Sequence, residues 1–449
     1  MKFHVYDRME NGKFVPNGYP LDYEYIKDPT EYKTKFQKEK TVHWMGYNLI
    51  SEDNLSSQLN DKLSSEVEDN FIYPVEQFGA FEKLIGEEEA YRYFCFLDHI
   101  KPDTLEKLRN GKGKIVIFAV EESRVHVESF IYLHKLLVKF KISPSNLIYL
   151  TGNNWSGYKR YKEWCQDSKI QDIMKVINTH AQMYLKGNDL IKGDNSTAPD
   201  AVNRNSFVSV VEFNSKHKRK HRFLCYNRRI RPPRYVMLAM LHHNNLIKDN
   251  LVSFSIEKKH DLNCLGFRGI PDRPTMTLML GKTELRTQYL SYYQELMKMS
   301  PQIVDFDNLL DVMGPGCERK QPYLDTYFSI VTETSFNEDT WCLTEKVWRP
   351  MLHFHPFIVH GSPYTLRNIK ELGFKTFHPY IDESYDEEES CRIRMELLTT
   401  EIKRICSMSL DEMHDWYGSM RDIIIHNRDL IYSYGTEHKT FLEKIVNKI

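Results

Sequence analysis

Short, continuously apolar runs alternating with helix-patterned segments constrain this chain more than any other feature. YRYFCFLD (91–98), KIVIFAVEE (114–122) and NLIYLTGNN (146–154) are such runs, and VESFIYLHKLLVKF (127–140) repeats its apolar residues at helical spacing. A strand apolar on both faces must be covered on both, which predicts a parallel sheet of βαβ units. The same pattern restarts at residue 222. RFLCYN (222–227), LVSFS (251–255), YFSIVTET (327–334) and PFIVHG (356–361) read as strands. PRYVMLAMLHHNNLI (233–247), TEKVWRPML (344–352) and PYTLRNIKELG (363–373) read as helices, the last closed by its glycine.

Between the halves, KGNDLIKGDNSTAPDAVNRNS (186–206) is polar, rich in Gly, Asn and Asp, and reads as a linker. A chain of 449 residues is also too long for one ordinary core. The expected organisation is α/β, with an N-terminal Rossmann-like domain over 1–195, a second over 196–430 and a closing helix over 431–449. Two such domains predict a cleft, and ligands of open parallel sheets bind beyond the carboxyl ends of the strands.

Hydrophobic residues at 41% and charged residues at 27% fit a folded protein. The net charge of −1 gives no global field favouring nucleic acid. No apolar stretch of signal-peptide or membrane-spanning length is visible, so the sequence predicts a soluble, cytoplasmic protein without a transmembrane segment. Eight cysteines contain no CxxC pair and no zinc-site spacing, which predicts reduced thiols and no metal or cofactor. Asp305 and Asp307 form a D-x-D triplet, a pattern too short to assign a metal.

Two constellations fall at predicted strand ends. After RFLCYN come Arg228, Arg229, Arg231 and Arg234, the last at a helix start. Guanidinium donors beside a helix N-terminus suit a diphosphate, since bidentate hydrogen bonds and the helix dipole act on the same anion. In TETSFNEDTWCLTEKVWRPMLHFHPFIVHG, Glu333 lies near a strand end and Thr344 is a good N-cap for a helix carrying Glu345 and Lys346 in its first turn. Glu345 suits ribose hydroxyls and Lys346 a phosphate. Lysine opposes the helix dipole there, so a bound anion would give it a reason. Pro350 is expected to interrupt this helix.

This second stretch resembles the signature of the fucosyltransferases of glycosyltransferase family 10, roughly F-E-N-S, a spacer, Y-[IV]-T-E-K-[LI]-W and P-V-V. Glu333, Thr344, Glu345, Lys346 and Trp348 fall on matching positions, and Cys225, Asn227, Arg231 and Arg234 resemble the segment before that family's donor helix. Thr334 stands where the family has asparagine, and the loop 335–342 is longer. The likeness covers about a quarter of the chain and is closest to soluble bacterial and phage or viral members. It implies a GT-B fold with two Rossmann-like domains, and a nucleoside-diphosphate sugar, GDP-fucose in that family, bound through Asn227, Arg231, Arg234, Glu333, Thr344, Glu345 and Lys346. The implied reaction transfers a sugar to a glycan hydroxyl with inversion.

A general base must lie within reach of the acceptor hydroxyl. Glu121 and Glu122 end the run KIVIFAVEE, and the family's base segment resembles 118–121, which points to Glu121 as the catalytic base. Asp98 and His99 form a second acidic–basic pair at a strand end. KHKRKHR (216–222) reads as a solvated basic hairpin or a contact for a phosphate-rich acceptor. It motivates a rival reading, a phage-type DNA glycosyltransferase acting on a hydroxylated base. DESYDEEES (382–390) reads as a solvated helix start, with Glu383 a donor-side candidate. A non-catalytic binding module on the same fold is the third reading.

Overall fold

The computed structural model describes residues 102–119, 127–151, 156–179, 207–256 apart from 216, 273–300, 319–333 and 343–437. It also describes short strands before residue 77 and a few isolated residues. The chain is mixed α/β and divides into two compact units, Met1–Leu185 with Thr340–Cys342 and Glu437–Ile449, and Lys186–Asp339 with Leu343–Thr436.

In the first unit, β1 (Lys2–Phe3) is followed by an antiparallel pair, β2 (Asp7–Glu10) and β3 (Lys13–Pro16). Then come β4 (Phe71–Glu76), β5 (Gly113–Ala119), β6 (Leu147–Thr151) and β7 (Lys175–Asn178), giving a parallel sheet in the order β1-β4-β5-β6-β7. All five residues of β6 are buried, as a run apolar on both faces requires. Most of the strand expected over 91–98 lies outside the described residues, as do Asp98 and His99. β4 was not legible as a strand because Pro74 interrupts it. Among the described residues β1 pairs with Phe71 and Ile72 and stops short of Pro74, the kind of unpaired side on which a strand proline is tolerated.

Helices Pro102–Arg109, Val127–Lys139 and Ser156–Asp167 connect these strands. The second buries Phe130, Leu133, His134 and Leu137, one stripe at helical spacing. Phe130 meets Tyr149 of β6 edge-on at 5.2 Å. His134 Nδ1 shares a 2.8 Å hydrogen bond with the Tyr161 hydroxyl, which also accepts the Met174 N–H, so these buried polar atoms are partnered.

The second unit holds β8 (His221–Arg229), β9 (Leu251–Ser255), β10 (Thr326–Thr332) and β11 (Phe357–His360), parallel and ordered β11-β10-β8-β9. Chain order reverses between β8 and β10. Such a reversal leaves a crevice at the strands' carboxyl ends, where ligands of open α/β sheets bind. Helix Pro232–His243 follows β8, starts on a proline and is buried continuously from Pro232 to Leu241. It is apolar nearly all round and therefore lies within the core.

Helix Glu345–Leu352 follows Thr344 and passes through Pro350, so the expected interruption does not occur. Pro350 is near the helix end, where losing one donor to the Lys346 carbonyl still allows two more residues. The helix over 363–373 is built at Thr365–Glu371, and Gly373 closes it at φ +90°. Gly373→Ala is expected to cost about 1 kcal/mol, because alanine disfavours that backbone. A lower urea midpoint at unchanged slope would show it.

The basic run is a correction. Arg219 is buried and donates to the carbonyls of Tyr323 and Thr326 and to the Tyr417 hydroxyl. Lys218 pairs with Asp411 at 2.6 Å, Lys220 with Asp325 at 3.5 Å, and Arg222 reaches the Met408 carbonyl. The run ties the start of β8 to its neighbours because a strand edge offers carbonyls that guanidinium groups can satisfy. Helix Arg421–Thr436 belongs to the second unit, where Ile424 and Ile431 are buried; most of the closing helix expected over 431–449 lies outside the described residues.

Candidate functional site

The carboxyl edge of the second sheet gathers most of the residues singled out above. Asn227, fully buried near the end of β8, accepts a hydrogen bond from the Thr332 hydroxyl of β10 and donates to Cys225 Sγ at 3.3 Å. It is therefore a strut across the reversal point. The β8–β9 register shifts between Asn227 and Arg229, a local irregularity of the kind that re-aims a strand end.

Arg231 is the N-cap of helix Pro232–His243, half-buried and without a side-chain capping bond. Arg234 lies in that helix's first turn at 6% exposure. Its charge acts on two neighbours. Burial pushes the Cys225 thiol up to about 12 while Arg234 pulls it down, and Arg234 also disfavours protonation of His360.

Glu333 follows β10 and is 3% exposed. Its carboxylate accepts the Thr344 N–H at 3.1 Å and the Thr344 O–H at 2.8 Å. The Thr344 oxygen accepts in turn from the Lys346 N–H at 3.3 Å and from Lys346 Nζ at 2.8 Å. That hydroxyl donates once and accepts twice, its full capacity. Lys346 Nζ also pairs with Glu345 Oε1 at 3.0 Å, and both side chains keep about a fifth of their surface exposed. Burial raises the Glu333 pKa, with Lys346 and the Thr344 bonds opposing the shift.

Within the protein, Glu333 holds the start of helix Glu345–Leu352 in place through Thr344. Lys346 already has a protein reason to sit against the helix dipole, namely Glu345 and, through space, Glu333. Between Tyr226, Thr332, Lys346 and Arg349 a cavity of about 30 Å³ remains, enough for one water.

Residues missed in the sequence complete this edge. His360 ends β11, is fully buried, and neither ring nitrogen has a hydrogen-bond partner among the described residues. Its ring stacks on Phe336 at 4.2 Å, and the Arg394 guanidinium covers Phe336 at 4.3 Å. Arg394, itself buried, donates to the carbonyls of Phe336 and Glu388, fixing the segment after β10 to helix Cys391–Cys406. The histidine lay in a run read as a plain apolar strand, where nothing marked it out.

His360 is driven down to about 3 by burial first, then by Arg394 and Arg234. The unfolded chain, near 6.5, takes up a proton first as pH falls. Stability present above about pH 6.5 is therefore lost toward pH 3, at up to about 1.4 kcal/mol per pH unit. His360→Leu is expected to flatten the loss of stability between about pH 6 and 4 in urea titrations. An unchanged acid slope would contradict this.

DESYDEEES is not solvated throughout. Glu383 accepts from the Thr376 hydroxyl at 2.7 Å and the Phe377 N–H at 2.6 Å, and pairs with Lys370 at 3.4 Å. Asp386 accepts the Leu366 and Arg367 N–H groups, capping helix Thr365–Glu371, and burial lifts its pKa to about 6. Glu383 is thereby engaged in structure. Glu121, Glu122, Thr334, Asp305 and Asp307 lie outside the described residues.

Among the described residues no cluster of three His, Cys, Asp or Glu side chains could hold a metal, and no helix is long and apolar enough to cross a membrane. The described cysteines, Cys165, Cys225, Cys391 and Cys406, are buried and unbridged. No family model matches the chain, and no curated protein and no solved structure matches it either.

Proposed function

We propose that the second unit binds a nucleoside-diphosphate sugar at the carboxyl edge of its sheet, and that the protein is an inverting glycosyltransferase of GT-B type. One observation carries this reading: the chain-order reversal between β8 and β10 is bridged by Asn227 and Thr332, with Arg234 and Lys346 in the first turns of the helices that follow these strands. Two helix starts and two fixed cations at one crevice suit a diphosphate.

In the proposed reaction an acceptor oxygen attacks the anomeric carbon as the bond to the diphosphate oxygen breaks, and the acceptor proton passes to Glu121. Arg234 and Lys346 stabilise the charge gathering on the leaving diphosphate, and Glu345 accepts hydrogen bonds from ribose hydroxyls. Glu333 and Asn227 act as struts, holding the Thr344 helix start and the β8 end in position. The family likeness around Glu333, Thr344, Glu345 and Lys346 supports a fucose-like donor and a glycan acceptor. The internal partners of the basic run give the DNA reading no support.

Incubation with GDP-, UDP-, CDP- and dTDP-linked sugars tests the reading. Slow release of one nucleoside diphosphate is expected, enhanced by a glycan acceptor. Release of none from folded protein would leave only a binding role.

A further inference from the structure

We propose that the second unit has another ligand site, at the opposite, amino-terminal edge of its sheet, which takes a small organic anion bearing a planar ring. A cavity of about 380 Å³ opens there, within the range of small-molecule sites. Phe213, Leu324 and Tyr417 give it an apolar part, with the Phe213 and Tyr417 rings edge to face at 6.2 Å.

The charge of the lining favours an anion. Of its two carboxylates, Glu212 pairs with Lys320 at 2.6 Å, while Asp415 acts only through space on Lys218, whose own partner is Asp411. The two guanidinium groups are held mainly by uncharged partners, with Asp325 acting on Arg219 through space. Arg219 is held by carbonyls and the Tyr417 hydroxyl, and Arg421 lies 4.8 Å over the Phe213 ring while donating to the Asn214 side chain. Neither has a carboxylate at ion-pair distance among the described residues. His414 uses Nδ1 toward the Tyr327 hydroxyl, which leaves Nε2 for a ligand, and His217 also lines the space.

Gly418 also lines the cavity. It is exposed, the second-last residue of helix Leu410–Ser419, and a Cβ added there would meet nothing within 4 Å, so a larger side chain can be placed at this wall without a clash.

Calorimetric titration of the full chain with benzoate, phenyl phosphate and neutral benzyl alcohol tests the site. Both anions are expected to bind, with benzyl alcohol at least about tenfold weaker. Gly418→Leu, which grows into open space, should weaken the anions by about tenfold or more, and the exposed Arg421→Gln should weaken them if the leucine variant does not fold. Lys346→Ala should leave them unchanged, which separates this site from the nucleotide edge. Failure of both anions to bind at millimolar concentration, equal binding of benzyl alcohol, or full binding by folded Gly418→Leu would each overturn the proposal.

Discussion

Lys346→Ala is expected to weaken sugar-nucleotide binding by about 1.5–3 kcal/mol, roughly 10- to 150-fold, the range for a hydrogen bond to a charged group. The ammonium group is partly exposed and bonds to Thr344 and Glu345, so its loss should leave the melting temperature nearly unchanged. Arg234 calls for a different substitution. It is buried, so alanine would remove packing along with charge, whereas Arg234→Lys keeps the charge and removes the planar fork. A comparable loss of donor affinity is expected from that change. Wild-type affinity in both variants would remove the diphosphate from this edge.

Glu121→Gln is expected to lower turnover by about 10²- to 10⁴-fold while leaving donor affinity intact, the signature of a missing general base. Glutamine keeps the size and hydrogen-bonding shape of the side chain and loses only the proton acceptor. Glu122→Gln should do far less, because the family likeness runs through 118–121 and stops at Glu121. The separation of kcat from donor Kd makes the test specific, since a variant that merely disturbed the first unit's fold would also melt early. Full activity in Glu121→Gln, with activity lost in Glu122→Gln or Asp98→Asn, would move the base to the residue that failed.

Much of the α/β pattern was legible because strands buried on both faces announce themselves as apolar runs. YFSIVTET became β10 with all seven of its residues buried, and RFLCYN became β8, extended at both ends. Thr344 was legible as an N-cap because capping is local chemistry. Long-range partnerships were not. Nothing in the sequence ties Asn227 to Thr332, or Arg394 to Phe336, since those contacts exist only once the sheet is assembled. Charged runs misled for the same reason: the fold turned KHKRKHR inward at Arg219 and spent Glu383 and Asp386 on loops and a helix start. His360 shows the converse, a residue unremarkable in sequence whose burial between charged neighbours gives it a distinct titration.

Calorimetric titration of this chain with GDP-, UDP-, CDP- and dTDP-sugars tests the central claim most directly. One base class should bind at a single site and raise the melting temperature by mass action, and Lys346→Ala should abolish most of that shift. No binding by any of the four, or binding that Lys346→Ala and Arg234→Lys leave untouched, would contradict a sugar-nucleotide site at the carboxyl edge of the second sheet.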